Sequence, residues 1–399
     1  MAVRTCLLWL APLGACVTYS PDHADVATVA AEAAQRQGGT FTLERAFTTA
    51  LSDNPALLAA ESRARAAGAM IQPLTLQSEW RSGTEMLGVM LDPVAVLGLG
   101  PRGGATGRDE ALAAQAAAQL VAERWRVLGE IAEAFAVDYA LAPLTSPTID
   151  VRTGDFRAAG LAAPVAATRL EAGQQAAVAE RAALARDRID NLARLRALLG
   201  LSATASLQLV HDAQPWRDFA TGDETLLQRP DLTLATSRWQ VADAEFRQAV
   251  ADQYPSLMIG PEFPLRGGPL EAMAVLRVPL LQHGPAASAR ERRQAAREDL
   301  LEAFLQVVAE ATSADSTRTA TEAQRTAAAA RQRASETALQ AALVAVQVEV
   351  DAFGALAEAA VMAVEDTRML REISIVAARA QVRAAVAHGW PAITAEVKS

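Results

Sequence analysis

Asn54-Pro55-Ala56-Leu57-Leu58-Ala59-Ala60-Glu61-Ser62-Arg63 aligns with Arg229-Pro230-Asp231-Leu232-Thr233-Leu234-Ala235-Thr236-Ser237-Arg238, with proline, leucine, alanine, serine and arginine matched at a constant offset. Self-similarity over such a distance means that one unit is built twice. In each copy the proline suits the first helical turn, where its missing N–H costs nothing, and leucine and alanine follow at helical spacing. Each copy therefore opens a helix.

Working outward, each helix is followed by a proline and a stretch that alternates like a strand. In the first copy Pro73 precedes Leu74, Leu76, Ser78 and Trp80, Ser82-Gly83 turns, and Met86 to Leu91 and Val94 to Leu99 return. In the second, Pro255 precedes Ser256 to Phe263, Arg266-Gly267-Gly268-Pro269 turns, and Ala272 to Leu281 returns. Both read as hairpins. Each ends in Gly-Pro, at Gly100-Pro101 and Gly284-Pro285, after which the composition changes to Ala, Arg, Glu and Gln.

Those later tracts carry narrow apolar stripes: Leu300, Phe304, Val307 and Ala311; Leu339, Leu343, Val346 and Val350; Ile189, Leu192, Leu195 and Leu199. Spacing of three and four between flanking Arg and Glu is the seam of a coiled coil, and alanine in the seam lets helices approach closely. Ala286 to about Val348 would be a rod of about 90 Å at 1.5 Å per residue. Asp351 to Gly354 breaks it, and about Ala355 to Ala387 returns antiparallel. In the first copy the outgoing arm runs from Ala105 to Leu141 and stops before Pro143 and Pro147, and the return runs from about Val165 to Leu199.

Composition agrees. Of 399 residues 51% are apolar, much of that alanine, and only 5% are aromatic, which favours long thin helices over a thick core. The net charge is −9, and the only lysine is Lys398. No basic tract exists to hold nucleic acid, and no lysine is placed for a phosphate loop or a Schiff base. Gly98-Leu99-Gly100-Pro101-Arg102-Gly103 fits G-x-G-x-x-G but lacks the strand–helix–strand setting of a dinucleotide site, and a glycine-rich exit from a hairpin explains it better. His23, His211, His283 and His388 stand far apart and give no metal or catalytic spacing. The chain reads as no enzyme and needs no cofactor.

The first residues form a unit of their own. Arg4, an apolar run from Cys6 to Leu13 and the small residues Gly14-Ala15 are the pattern of a secretory signal. Leu13-Gly14-Ala15-Cys16 resembles the lipobox of bacterial lipoproteins, which implies acylation of Cys16; the alternative is an ordinary signal peptide with an incidental cysteine.

Helix, hairpin and long antiparallel helical pair, all occurring twice behind a lipobox, resemble the TolC-like outer-membrane efflux protein family. The stretches that carry the likeness are Phe41-Thr42-Leu43-Glu44-Arg45-Ala46 with Asn54-Pro55; Arg229-Pro230-Asp231-Leu232; Tyr254-Pro255-Ser256-Leu257; Val278-Pro279-Leu280-Leu281; Val350-Asp351-Ala352-Phe353; and Gly389-Trp390. The resemblance implies a mainly α fold with a small β part. Two repeats of coiled-coil helices each add a β-hairpin to a trimeric, 12-stranded outer-membrane β-barrel standing on a periplasmic α-helical tunnel. It divides the chain into a signal peptide at 1–15, a lipidated linker at 16–39, a first repeat at 40–225 (hairpin about 73–100, helical tip about 157–162), a second at 226–390 (hairpin about 255–284, tip about 349–354) and a tail at 391–399.

By the same resemblance the protein sits in the outer membrane, lipid-anchored and extending into the periplasm. It would serve as the passive homotrimeric conduit of a tripartite efflux or type I secretion system, with a periplasmic adaptor and an inner-membrane pump or ABC transporter as partners. The alternative is a non-conducting periplasmic scaffold lipoprotein, suggested by short strands that contain Pro261, Pro264 and Pro279. At the tips the family narrows its tunnel with acidic side chains. The matching residues are Glu349 and Asp351, of which Asp351 equally suits a helix cap. Arg157, Gly160, Leu161, Val350 and Phe353 are implied as the adaptor-docking surface.

Overall fold

In the computed structural model, residues 26–36, 38–69, 75–81, 84–90, 107–151, 164–211, 214–219, 221–254, 256–264, 271–277, 283–348 and 352–391 are described. The elements in chain order are α1 (Val26–Gln35), β1 (Gly39–Phe41), α2 (Leu43–Asp53), α3 (Pro55–Ala69), β2 (Thr75–Arg81), β3 (Thr84–Met90), α4 (Gly107–Leu141) and α5 (Pro164–Leu198). They continue with β4 (Leu207–Leu209), α6 (Asp223–Leu227), α7 (Pro230–Ala251), β5 (Ser256–Pro264), β6 (Glu271–Arg277), α8 (His283–Val348) and α9 (Phe353–Ala387).

Pro55 and Pro230 are each the first residue of a helix, as their sequence setting predicts. Thr42 caps α2 by accepting from the Arg45 N–H, and Asn54 caps α3 by accepting from the Ala56 and Leu57 N–H groups. The two hairpins form one antiparallel sheet in the order β2-β3-β5-β6, joined across the halves by Leu87 opposite Phe263. Pro261 lies in register opposite Ala272, and Pro264 opposite Met86. β2, β3 and β6 have seven residues each and β5 nine; the Val94–Leu99 part of the expected first hairpin lies outside the described residues.

A second, parallel pairing joins β1 to β4, and nothing in the sequence reading anticipated it. It requires glycine at position 38, because a Cβ there would come within 1.7 Å of the Ser206 carbonyl oxygen.

α8 is 66 residues long, about 100 Å as a continuous helix. Its buried line, which includes Ala289, Val307, Ala311, Ala328, Leu339 and Val346, faces α7 first and α9 after that. Not every expected seam residue is on it: Phe304 is 38% exposed and Ile189 63%. For α5 the reason is visible in the face it does bury, Leu170, Gly173, Ala177, Glu180 and Leu184, from which Ile189 is turned away. α9 starts at Phe353, so Phe353 and Gly354 belong to the helix instead of the break before it. In the first turn the backbone N–H groups have no helical partner, so a glycine there forfeits no hydrogen bond.

α4 ends at Leu141, short of the prolines. Residues 142–151 form neither helix nor strand and lie along α5, held by Ser146 Oγ donating to the Ala177 carbonyl and by Gln174 Nε2 donating to Val151 O at 2.7 Å. α9 packs on both α4 and α5. The main core gathers where α2, α4, α5 and α9 meet, around Ile131, Phe135, Leu141, Leu195 and Val382. No described helix is long and apolar enough to cross a membrane.

Candidate functional site: the helical wall and its junctions

Three sets of polar side chains hold the wall together. The first lies where the second half begins. Arg229, the residue before Pro230, is buried, and its guanidinium binds the Asp231 carboxylate at 2.6 and 3.1 Å and Glu310 of α8 at 2.7 Å. Its remaining nitrogen donates to the carbonyl of Ala387, the last residue of α9, at 2.8 Å. The group also lies 5.1 Å over the ring of Trp125 on α4, so one side chain ties four elements. Burial opposes its charge, but the hydrogen bonds to Asp231 and Glu310 outweigh it and raise the pKa above its ordinary value.

The second set crosses from α9 to its neighbours. Arg371 donates to Glu180 on α5 at 2.6 Å and also to Asp187. Glu180 is 5% exposed, so the pair is removed from water. The hydrogen bond to Glu180 raises the Arg371 pKa against the opposing effect of burial. On the other flank of α9, Asp366 takes Arg331 of α8 at 3.0 Å. The third set surrounds Glu133 on α4 with Arg383 at 3.2 Å, Arg194 at 3.4 Å and Arg379 at 3.6 Å, drawn from α5 and α9.

His211 and His388 each meet one aspartate, Asp138 and Asp315, at 2.9 Å. Among the described residues no group of three or more His, Cys, Asp or Glu is placed to hold a metal ion. What these side chains do is fasten helices end to end and side to side.

No family model matches the sequence, and no curated protein matches it. Solved structures do. The outer membrane protein VceC from Vibrio cholerae is 20% identical, with 87% of this chain and 96% of that one covered at a TM-score of 0.63. The open state of the Neisseria gonorrhoeae MtrE outer membrane channel is 17% identical, with 87% and 88% covered at 0.67. A membrane protein from Pseudomonas aeruginosa is 18% identical, with 94% and 97% covered at 0.67. This chain has the fold of the TolC-like outer-membrane channels.

In this TolC-like fold α8 follows β6 in the chain, and α9 packs back along α8. Of the residues singled out from the sequence, Cys16, Arg157, Gly160, Leu161, Glu349, Val350 and Asp351 lie outside the described residues. Phe353 is described and is 2% exposed, packed in a cluster with Leu170, Leu339, Val346 and Leu356. It forms the core beneath the tip and does not present its ring to solvent.

Sequence reading used Arg229 only as the start of a helix and did not single out Arg371, Glu180 or Glu133. An arginine directly before a helix-opening Pro-Asp is a usable signal for the first. The others look like any Arg or Glu of a solvated helix, because only the placement of a second helix buries them.

Proposed function

We propose that the chain is the outer-membrane channel component of a tripartite efflux or type I secretion system, a passive homotrimeric conduit that carries out no catalytic step. The observation that carries this reading is a four-stranded antiparallel sheet with β2 and β6 as open edges, continued by antiparallel helices of which the longest has 66 residues. Four strands cannot close on themselves, whereas three copies joined edge to edge give a barrel with no free edge. The helices below it then form a tunnel into the periplasm, the barrel lies in outer-membrane lipid, and acylated Cys16 anchors each subunit.

In this reading Glu349 and Asp351 line the aperture at the tips, where three copies of each make a carboxylate ring that favours cations. Arg157, Gly160, Leu161 and Val350 meet the periplasmic adaptor, with Phe353 supporting them from below. An inner-membrane pump or ABC transporter supplies the energy for exporting small molecules, metal ions or polypeptides. Purified full-length protein should form a trimer and give discrete conductance steps in planar lipid bilayers. A soluble monomer that stays silent after reconstitution would overturn the proposal.

A second reading, a non-conducting periplasmic scaffold lipoprotein, is favoured by strand length. Among the described residues three of the four strands have seven residues, fewer than the roughly 9 to 11 that a tilted strand needs to cross a bilayer. A trimer without conductance would select it.

A further inference from the structure

We infer that the cavity between α8 and α9, walled by Ser313 and Thr317 on one side and by Arg379 and Arg383 on the other, is a seat for an oxyanion group: a carboxylate, sulfonate or phosphate carried by a molecule in transit. Its placement in a bore rests on the trimeric reading above; the seat itself is built from one chain. The cavity holds about 410 Å³, with Ala314 and Ala380 also in its lining.

Both walls offer unused hydrogen-bonding groups. Every other Ser and Thr hydroxyl from Thr312 to Thr337 of α8 bonds back to a carbonyl of its own helix. Those of Ser313 and Thr317, one turn apart, have no partner among the described residues. Across the cavity, Arg383 gives one nitrogen to Glu133 Oε1 at 3.2 Å, and Arg379 stands 3.6 Å from the same oxygen. A guanidinium carries five N–H donors, so most of theirs are left for a ligand. Arg194, shared with Glu130, adds a third cation 3.4 Å from Glu133. Glu310, a carboxylate in the lining, is already bound to the buried Arg229 at 2.7 Å.

The cavity lies on the bare face of the helix pair. At about 100° per residue, Ser313 and Thr317 each stand about 200° round α8 from Asp315, and Arg379 and Arg383 each stand about 200° round α9 from Gln381. Asp315 and Gln381 belong to the opposite face, where His388 meets Asp315 at 2.9 Å and Gln381 meets Glu322 at 3.1 Å. That face is covered by the segment after β4, since Phe219 stacks on His388 at 5.5 Å and lies 5.8 Å from the Arg318 guanidinium. A closed ring of helices has less room inside than outside, so the covered face is set outward and the Arg379–Arg383 face borders the bore.

An oxyanion in the cavity accepts from guanidinium N–H groups on one side and from hydroxyls on the other, and such charge-assisted bonds are stronger than those between neutral groups. With this pair of arginines repeated in each copy, the wall carries a band of positive charge at one level. Charge of one sign along a confined passage concentrates ions of the other.

The test is titration calorimetry of the full-length protein in detergent with inorganic pyrophosphate, in a phosphate-free buffer. Arg379→Gln/Arg383→Gln should weaken binding about tenfold or more, and Ser313→Ala/Thr317→Ala, which removes no bond of the fold, should weaken it about threefold. Arg290→Gln/Arg297→Gln takes the same charge from exposed positions elsewhere on α8 and should leave binding unchanged. No binding by the parent protein, equal losses in the two arginine pairs, or undiminished binding by the hydroxyl variant overturns the seat. Placement in the bore is read separately in planar bilayers under a KCl gradient, where Arg379→Gln/Arg383→Gln should move the reversal potential toward cation selectivity; an unmoved potential overturns that placement. A protein that binds pyrophosphate but conducts in no form overturns the channel reading and leaves the seat standing.

Discussion

Asn54 and Arg229 close equivalent junctions with different chemistry. Each precedes the proline that opens a helix, and each donates from its side chain to the last carbonyl of the returning arm in its own half: Asn54 Nδ2 to Leu198 O at 2.7 Å, and Arg229 to Ala387 O at 2.8 Å. A neutral amide does this in the first half. In the second, a cation does it together with two carboxylates.

Replacing Asn54 therefore removes two functions at once. Asn54→Ala leaves the Ala56 and Leu57 N–H groups without their cap and Leu198 O without its donor, and should cost about 1–2 kcal/mol. Asn54→Asp keeps the cap but loses the donor and should fall between. Thermal unfolding of the full chain in detergent, followed by helical circular dichroism, measures both; equal midpoints for the two variants would contradict the dual role.

Arg371→Leu should destabilise by about 3–5 kcal/mol, because it leaves the buried Glu180 carboxylate uncompensated. Adding Glu180→Leu should restore much of the loss, since a buried pair is often matched by an apolar one. A double variant no more stable than the single one would show that the pair is not the dominant tie between α9 and α5.

Acid should loosen the α8–α9 contact through Glu322. Hydrogen bonding to Arg325 lowers its pKa, burial opposes the shift, and Gln381 of α9 bonds to the same carboxylate at 3.1 Å. A carboxylate with a lowered folded pKa contributes stability that is complete above the unfolded value of about 4.3 and is lost as pH falls through the folded one. The thermal midpoint of Glu322→Gln should therefore vary less with pH below about 4.3 than that of the parent chain. Parallel curves for the two proteins would contradict this assignment.

Phe353→Ala should open a cavity beneath the tip, at a cost of about 3–5 kcal/mol, and Phe353→Leu should cost clearly less. Hydrogen exchange should place the loosening at the start of α9 and the facing part of α8. Unchanged protection there would mean that the aromatic core does not support the tip.

The fold was legible where the chain repeats itself. Pro55 and Pro230 mark helix starts, the Pro143 and Pro147 region marks the end of α4, and the hairpins stand between their prolines and glycines. What escaped depends on neighbours. Ile189 has seam spacing but is turned from the buried face of α5, and the parallel β1–β4 pair brings together two three-residue strands too short to announce themselves. Arg371 looks like its solvated neighbours until α5 is laid across it. Of the tip residues, only Phe353 is among those described, and its apolar ring fits the core it occupies.

The segment after α4 keeps hold of α5 where the helix has ended. Arg188 of α5 bonds to Leu141 O, and the Ala177 carbonyl of the same helix accepts from Ser146. The stretch of α5 between these points spans about 16 Å as helix, at 1.5 Å per residue. The facing chain turns once, with the Leu144 N–H donating to Leu141 O at 3.1 Å, before Ser146 reaches α5. The first half thus continues past the end of α4 as a turned, non-helical segment laid on α5, so an alignment that counts helical residues will misjudge the length of this arm.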